Sequence, residues 1–363
     1  MPRLPQPEIV ARMRQELLGW YDRSKRDLPW RRTQDPYGIW VSEIMLQQTR
    51  VAVVIERWKA FLERFPTVRE LAKADEQEVL ALWSGLGYYR RARMLHKAAQ
   101  TIVVEHAGKM PAKTEELRKL PGIGSYTAAA IASIAHGEHI AVVDGNVERV
   151  LSRIRGWESH DAVGEAAVRR KVEEFAAGLV DPRRPGDFNQ AIMELGATVC
   201  TPRNPQCLMC PWKTECRTLG EHKTPKRAPM TSCEVACALV LRDAKGGTEI
   251  LLEQRAAANT VMPGMWELPA IVAGERAGPE ERLTVRHAIM QVNYVVRVYT
   301  VPAEGFSAHG DADRARRWIL LAEASAMALT GLARKVLTRA GLLQTASSNR
   351  SGTVAPRAIR ELV

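Results

Sequence analysis

The chain has 363 residues, 46% of them apolar and 26% charged, which allows two domains with ordinary cores and is not the composition of a disordered chain. Its formal charge of +11 points to a polyanionic partner, although a basic, soluble surface accounts for it equally well. No apolar run has the length of a membrane span and Met1-Pro2-Arg3 opens no signal peptide. A cytoplasmic, nucleoid-associated protein is therefore expected, with cysteines reduced and open to metal binding rather than paired.

From Pro7 to about Leu219 the pattern is helical, with apolar residues at three- and four-residue spacings in Glu8–Tyr21, Val53–Phe65, Glu76–Trp83 and Val168–Leu179. Turns fall at Asp35-Pro36-Tyr37-Gly38, Gly85-Leu86-Gly87, Pro121-Gly122-Ile123-Gly124 and Asp181–Gly186. Arg26, Arg31 and Arg32 gather around Trp30, and Arg90, Arg91 and Arg93 follow Tyr88 and Tyr89. Cations beside aromatic rings suit phosphate contact with base stacking, or a solvated helix face.

In Ile39-Trp40-Val41-Ser42-Glu43-Ile44-Met45-Leu46-Gln47-Gln48-Thr49 one acid stands in an apolar run. Burial would disfavour its carboxylate and raise Glu43 toward a usable general acid; a first-turn glutamate favoured by the helix dipole reads the same way. Further on, Leu120-Pro121-Gly122-Ile123-Gly124-Ser125-Tyr126 leads into the Ala-rich Thr127–Ile131. A helix that ends at a Pro-Gly turn, with another starting after Gly124, leaves backbone N–H groups uncovered for a DNA phosphate. An ordinary corner between helices is the plainer alternative. In Val142-Val143-Asp144-Gly145-Asn146-Val147, Asp144 ends an apolar run and suits an N-cap. A carboxylate this close to a DNA-gripping hairpin can also face a sugar cation, with Asn146 orienting it. Capping and that role are compatible.

Cys200, Cys207, Cys210 and Cys216 have the spacing C-x6-C-x2-C-x5-C. Four such thiolates can hold an iron–sulfur cluster or zinc, but only one C-x2-C knuckle is present, which favours a cubane wrapped by one loop. Residues 221–232 read as a linker. Beyond it, Val235–Leu241, Glu249–Glu253 and Tyr294–Val301 read as strands, Glu281–Ile289 and Ser325–Thr338 as helices, and 345–363 as a loose tail. Cys233 and Cys237 read as core residues.

Together these elements resemble the helix–hairpin–helix DNA glycosylases with a 4Fe–4S cluster, over roughly Pro7 to Cys216. The resemblance is carried by Ser42–Thr49, the hairpin, Val142–Val147, and Phe188-Asn189-Gln190-Ala191-Ile192-Met193-Glu194-Leu195-Gly196. It implies an all-α glycosylase domain at 1–220 with the cluster loop at 200–216, then an α+β MutT/Nudix-like domain at 233–344. It also implies one 4Fe–4S cluster on the four cysteines, and a monomer acting on double-stranded DNA. Endonuclease III-like members carry a lysine two residues after the second hairpin glycine, where this chain has Tyr126; a phenol forms no Schiff base. Tyr126 instead matches the adenine-excising branch, which acts on adenine opposite 8-oxoguanine or guanine.

The same resemblance implies that Glu43 protonates adenine N7 and that Asp144 stabilises the sugar cation, with Tyr126 and Asn146 in support. Gln48, Thr49, Leu86 and Tyr88 match positions that wedge into the helix or meet the opposite base, and Leu46 lies near the adenine pocket. Arg31, Gly122, Ile123, Gly124, Ser125 and Gln190 complete the expected DNA contacts. Pro263-Gly264-Met265-Trp266-Glu267-Leu268-Pro269 is the mark of the second domain. That domain has no glutamate-rich Nudix box, so nucleotide hydrolysis is not expected. Aligned on Arg286-His287, the family's Phe-Ser-His lesion-reading loop becomes Ile289-Met290-Gln291 here. The rival readings are an endonuclease III-like glycosylase/lyase for oxidised pyrimidines and a non-catalytic iron–sulfur DNA-binding or redox-sensing protein.

Overall fold

The structure, a computed structural model, describes residues 5–158, 164–222, 229–271, 281–289, 291–305 and 315–343. It divides into two compact units: Met1–Lys73 with Met94–Lys226, and Ala74–Arg93 with Arg227–Val363. The linker at 221–232 falls partly, and the tail at 345–363 wholly, outside the described residues. No described helix is long and apolar enough to cross a membrane.

In chain order the helices are α1 (Pro7–Ser24), α2 (Pro36–Leu46), α3 (Val51–Arg64), α4 (Val68–Lys73), α5 (Glu76–Leu82), α6 (Arg90–Glu105), α7 (Thr114–Leu117), α8 (Ser125–His136), α9 (Gly145–Arg155), α10 (Gly164–Leu179) and α11 (Pro185–Thr198). All but α5 and the first turn of α6 belong to the first unit. In α1, Val10, Met13, Leu17 and Tyr21 recur on one helical face and are buried. Helix α2 starts where Asp35 accepts from the N–H groups of Tyr37 and Gly38, with Pro36 in its first turn. It is buried from Tyr37 to Met45, so its one acid is carried into the interior. Met13, Leu17, Val147, Leu151, Phe175, Phe188, Leu195 and Trp212 form the core that joins α1, α9, α10, α11 and the cysteine loop. The Trp212 Nε1–H donates to the Met13 carbonyl at 2.8 Å, fixing that loop to α1.

The second unit carries β1 (Thr231–Leu239), β2 (Leu241–Ala244), β3 (Gly247–Gln254), β4 (Trp266–Glu267), β5 (Glu281–Ile289), β6 (Val292–Thr300), β7 (Arg316–Leu320), α12 (Leu321–Ala324) and α13 (Gly331–Arg339). It is α+β. One sheet has the order β1-β6-β5 with β1 parallel to β6; in the other β3 pairs with β2, β4 and β7. Leu239, Ile250, Leu252, Trp266, Val285, Val296, Leu329 and Val336 fill the core.

Several expectations change here. Glu281–Ile289 is a strand, not a helix. Leu283, Val285, His287 and Ile289 turn inward while Thr284, Arg286 and Ala288 are exposed, and the chain pairs antiparallel with β6 (Val285 opposite Val296). Apolar residues two and four apart satisfy both periods, and the partner strand decides. Ser325–Thr338 is helical only from Gly331, where the Thr330 hydroxyl accepts from the Ala333 N–H. Cys237 is buried as expected, but Cys233 is exposed, because the first half of β1 faces outward. Residues 74–93 join the second unit rather than a domain ending at 220. There Tyr89 Oη donates to the Leu329 carbonyl, Arg334 Nε to Ser84 Oγ, and Arg93 Nη2 to the Pro263 carbonyl.

Candidate active site

Four helices of the first unit converge on a cavity of about 580 Å³. Helix α2 contributes Ser42, Glu43 and Leu46, α8 contributes Tyr126, α9 and its cap contribute Asp144 and Asn146, and α11 contributes Gln190, Met193 and Glu194. Gln48, Thr49 and Arg31 complete the wall. The structure thus gathers nine of the residues expected at the site around one space.

Glu43 lies in the second half of α2, so the first-turn reading does not apply, and it is only 6% exposed. Burial pushes its carboxyl up to about 7; the Tyr126 hydrogen bond opposes that rise and the Asp144 charge adds to it. The Tyr126 hydroxyl donates to Glu43 Oε2 at 2.7 Å and lies 3.5 Å from the Met193 sulfur. Burial, then the charge of Glu43, holds this phenol well above its ordinary range, so it stays a donor at neutral pH.

Asp144 caps α9: Oδ1 accepts from the Val147 N–H at 2.7 Å, and Oδ2 from Asn146 Nδ2 at 2.9 Å. Arg149 Nη2 donates to Asn146 Oδ1 and to the Gly196 carbonyl, both at 2.8 Å. That contact fixes which way the Asn146 amide points, and hence its donation to Asp144. Arg149 Nε also donates to the Cys200 carbonyl at 2.9 Å, tying the cysteine loop to the same network. Gly196 has to be glycine, since an added Cβ would stand 2.7 Å from the Asn146 Cβ.

Gln48 is exposed at the cavity wall with φ of 56°, a left-handed conformation that costs a glutamine about 1 kcal/mol or more. The hairpin is built as expected from its residues. Gly122 has φ of 74°, and a Cβ there would collide with Met94. Ile123 is buried as the anchor, while Gly122, Gly124 and Ser125 are exposed. Gly124 caps α8 with no side-chain bond to the first-turn amides and nothing within 4 Å of its open face. Those N–H groups are available to an anion.

Cys200, Cys207, Cys210 and Cys216 are half-buried around one small cavity. Arg153 donates to Cys200 Sγ at 3.4 Å and to the carbonyls of Thr201 and Pro202; the Leu219 N–H donates to Cys216 Sγ at 3.5 Å. As free thiols, Cys207 is held high and Cys210 is pushed up to about 11, both chiefly by burial. Among the described residues no group of three or more His, Cys, Asp or Glu is placed to hold a single metal ion. Leu86 and Tyr88 lie in the second unit, buried and exposed respectively. Ile289 ends β5, and Gln291 lies at the turn into β6 with its carbonyl accepting from the Thr231 N–H. Met290 lies outside the described residues.

Residues 41–176, which include Glu43, Tyr126 and Asp144, match the HhH-GPD superfamily base excision DNA repair protein model. The chain is 42% identical over 212 residues to the adenine DNA glycosylase of Mycobacterium tuberculosis (strain CDC 1551 / Oshkosh), covering 57% of this chain and 69% of that protein. The chain belongs to the adenine DNA glycosylase family. The human adenine DNA glycosylase is 40% identical over 339 residues, 78% of this chain, which spans 60% of the human protein's length. A thermostable thymine-DNA glycosylase structure is similar at TM-score 0.54 and 28% identity, over 58% of this chain and 97% of that one. An endonuclease III–DNA complex shares the fold at TM-score 0.50 and 23% identity, over 60% and 97%.

Three groups at this cavity escaped sequence reasoning. Met193 and Arg149 sit one helical turn or less from flagged residues, and only packing brings them to the site. The third is Glu194, 1% exposed in the cavity wall, which accepts from Arg26 Nε and Nη2 at 2.7 Å and from Arg31 Nη2 at 2.8 Å. Burial alone would raise this carboxyl, but the bonds from Arg26 and Arg31 outweigh it and draw it down to about 2. Glu194→Gln should destabilise the protein by about 3 kcal/mol at pH 7, because two guanidinium groups lose their anion. The wild type gains from this group above its ordinary value of 4.5 and loses the gain as pH falls through 2. The stability difference from the variant, read by thermal melts, should therefore shrink over that range.

Proposed function

We propose that the chain is a monofunctional adenine DNA glycosylase of base-excision repair, excising adenine opposite 8-oxoguanine or guanine in double-stranded DNA. One observation carries this reading: a buried Glu43, bonded to Tyr126, shares its cavity with the capped carboxylate Asp144. Two carboxyls in unlike environments are the general requirement for acid-assisted glycosidic cleavage. Adenine is flipped out of the stack into the cavity, whose volume accommodates a purine. Protonated Glu43 gives its proton to adenine N7, the glycosidic electron pair leaves with the base, and the sugar becomes an oxocarbenium ion. Asp144 faces that cation and stabilises it, as an ion pair or a transient adduct, while Asn146 and Arg149 hold the carboxylate. Ionised Glu43 then takes a proton from the attacking water.

Family membership supports a 4Fe–4S cluster on Cys200, Cys207, Cys210 and Cys216. Four soft sulfurs around one cavity, with N–H and guanidinium donors aimed at two of them, fit such a group. When bound it would cross-link the loop and so brace the Cys200 carbonyl that Arg149 grips. The α+β unit is read as MutT/Nudix-like and as the reader of the opposite base, with Ile289-Met290-Gln291 in place of the lesion loop. A nucleoid-associated monomer completes the proposal. No lysine lines the cavity among the described residues. Borohydride during turnover should accordingly trap almost no protein–DNA adduct; strong trapping through an amine would favour the endonuclease III-like lyase reading.

A further inference from the structure

The segment Trp83–Arg91 of the second unit holds a backbone that few residues adopt: Gly85, Gly87 and Tyr88 have φ of 92°, 68° and 49°. Glycine accepts this region readily and tyrosine does not, so the surrounding structure has to enforce it. Arg91, in the first turn of α6, supplies the restraint. Its Nη2 donates to the Leu86 carbonyl at 2.9 Å and to the Gly87 carbonyl at 3.1 Å. Its guanidinium lies 5.5 Å from the Trp83 ring centroid and 5.6 Å from that of Tyr88, within cation–π range of both. Trp83 Nε1 donates to the Gly87 carbonyl at 3.2 Å from a fully buried ring. Burial lowers Arg91 to about 10, which still leaves it charged at neutral pH. Leu86 is buried in the loop, yet Tyr88 beside it remains 54% exposed.

We propose that Arg91 is a positioning residue that locks residues 85–88 in this strained form, so that Tyr88 is presented rigidly as a stacking surface for a nucleic-acid base. The inference rests on reading the chain as a DNA glycosylase. An exposed aromatic ring backed by a cation and ordered before binding avoids the entropy cost of fixing a free loop. Lysine keeps the charge but not the planar guanidinium, which reaches both carbonyls through Nη2 while its face lies against two rings.

The test uses the intact full-length protein with Arg91→Lys, Tyr88→Ala and the double variant, and a duplex carrying a central A:G mispair beside 2-aminopurine. Affinity should fall about tenfold in each single variant, as expected for one or two lost contacts. The double variant should be no weaker than Tyr88→Ala alone, and the 2-aminopurine rise that reports base unstacking should shrink in all three. Wild-type binding and fluorescence in Arg91→Lys, or penalties that add in the double variant, would overturn the proposal. If Arg91→Lys does not fold, Trp83→Phe, which deletes only the N–H donor and ring edge, runs through the same cycle with the same two outcomes. Hydrogen exchange at the amides of residues 85–88 needs no DNA: faster exchange in Arg91→Lys is expected, and unchanged exchange would contradict the lock. Failure of the glycosylase reading would show separately, as a wild type that releases no adenine.

Discussion

Glu43→Gln should lower single-turnover adenine release roughly a thousandfold, within the ~10²–10⁴ contributed by a positioned general acid. Glutamine keeps the shape and still accepts from Tyr126, but carries no transferable proton. The wild type should show the matching pH dependence. With the Glu43 carboxyl at about 7, the acid form is present below that pH, and kcat/KM should fall about tenfold per pH unit above it. Stability should move the opposite way in the variant. The wild-type carboxyl is raised above its ordinary 4.5, so its contribution to stability is complete below 4.5 and is lost as pH rises through 7. Glutamine does not titrate. The melting temperature of Glu43→Gln relative to wild type should therefore climb between pH 4.5 and 7 and level off above. An inactive variant whose relative stability ignores pH would show that Glu43 is not the buried acid described.

Asp144→Asn should cost roughly a thousandfold in the same assay while keeping the helix cap, since a lost transition-state charge partner costs about 10²–10³. Asparagine caps helices as well as aspartate does, so the bond to the Val147 N–H can survive, although its amide nitrogen in place of Oδ2 no longer accepts from Asn146, a loss of about 1 kcal/mol. What it cannot supply is the negative charge facing an oxocarbenium ion. Asp144→Ala should lose both, with a similar rate defect and about 1 kcal/mol of stability from the missing cap. The pair of variants separates the two roles of one side chain. If Asp144→Asn retained activity and Asp144→Ala did not, the residue would be a cap alone.

Much of the site was legible because its residues sit on local punctuation. Asp144 is an N-cap, Gly122 is a left-handed turn, and Glu43 interrupts an apolar helix; each leaves a mark within a few neighbours. The cysteine spacing is equally local. What stayed hidden depends on partners far along the chain. Glu194 looks like a routine helix glutamate until Arg26 and Arg31, more than 160 residues earlier, close on it. Arg149 gains its meaning from Gly196 and Cys200, on a different helix and loop. The Glu281–Ile289 error has the same origin, because a spacing that suits two periods is resolved only by the β6 partner. So does the placement of residues 74–93, whose helical pattern says nothing about bonding to Leu329 or Pro263.

The central claim is that this cavity removes adenine and does so according to the opposite base. Single-turnover base release from duplexes holding adenine opposite 8-oxoguanine, guanine, cytosine or thymine tests it most directly. Rapid release opposite 8-oxoguanine and guanine, and very little opposite thymine, is the expected result. Release of an oxidised pyrimidine instead, or equal release of adenine opposite all four bases, would contradict it.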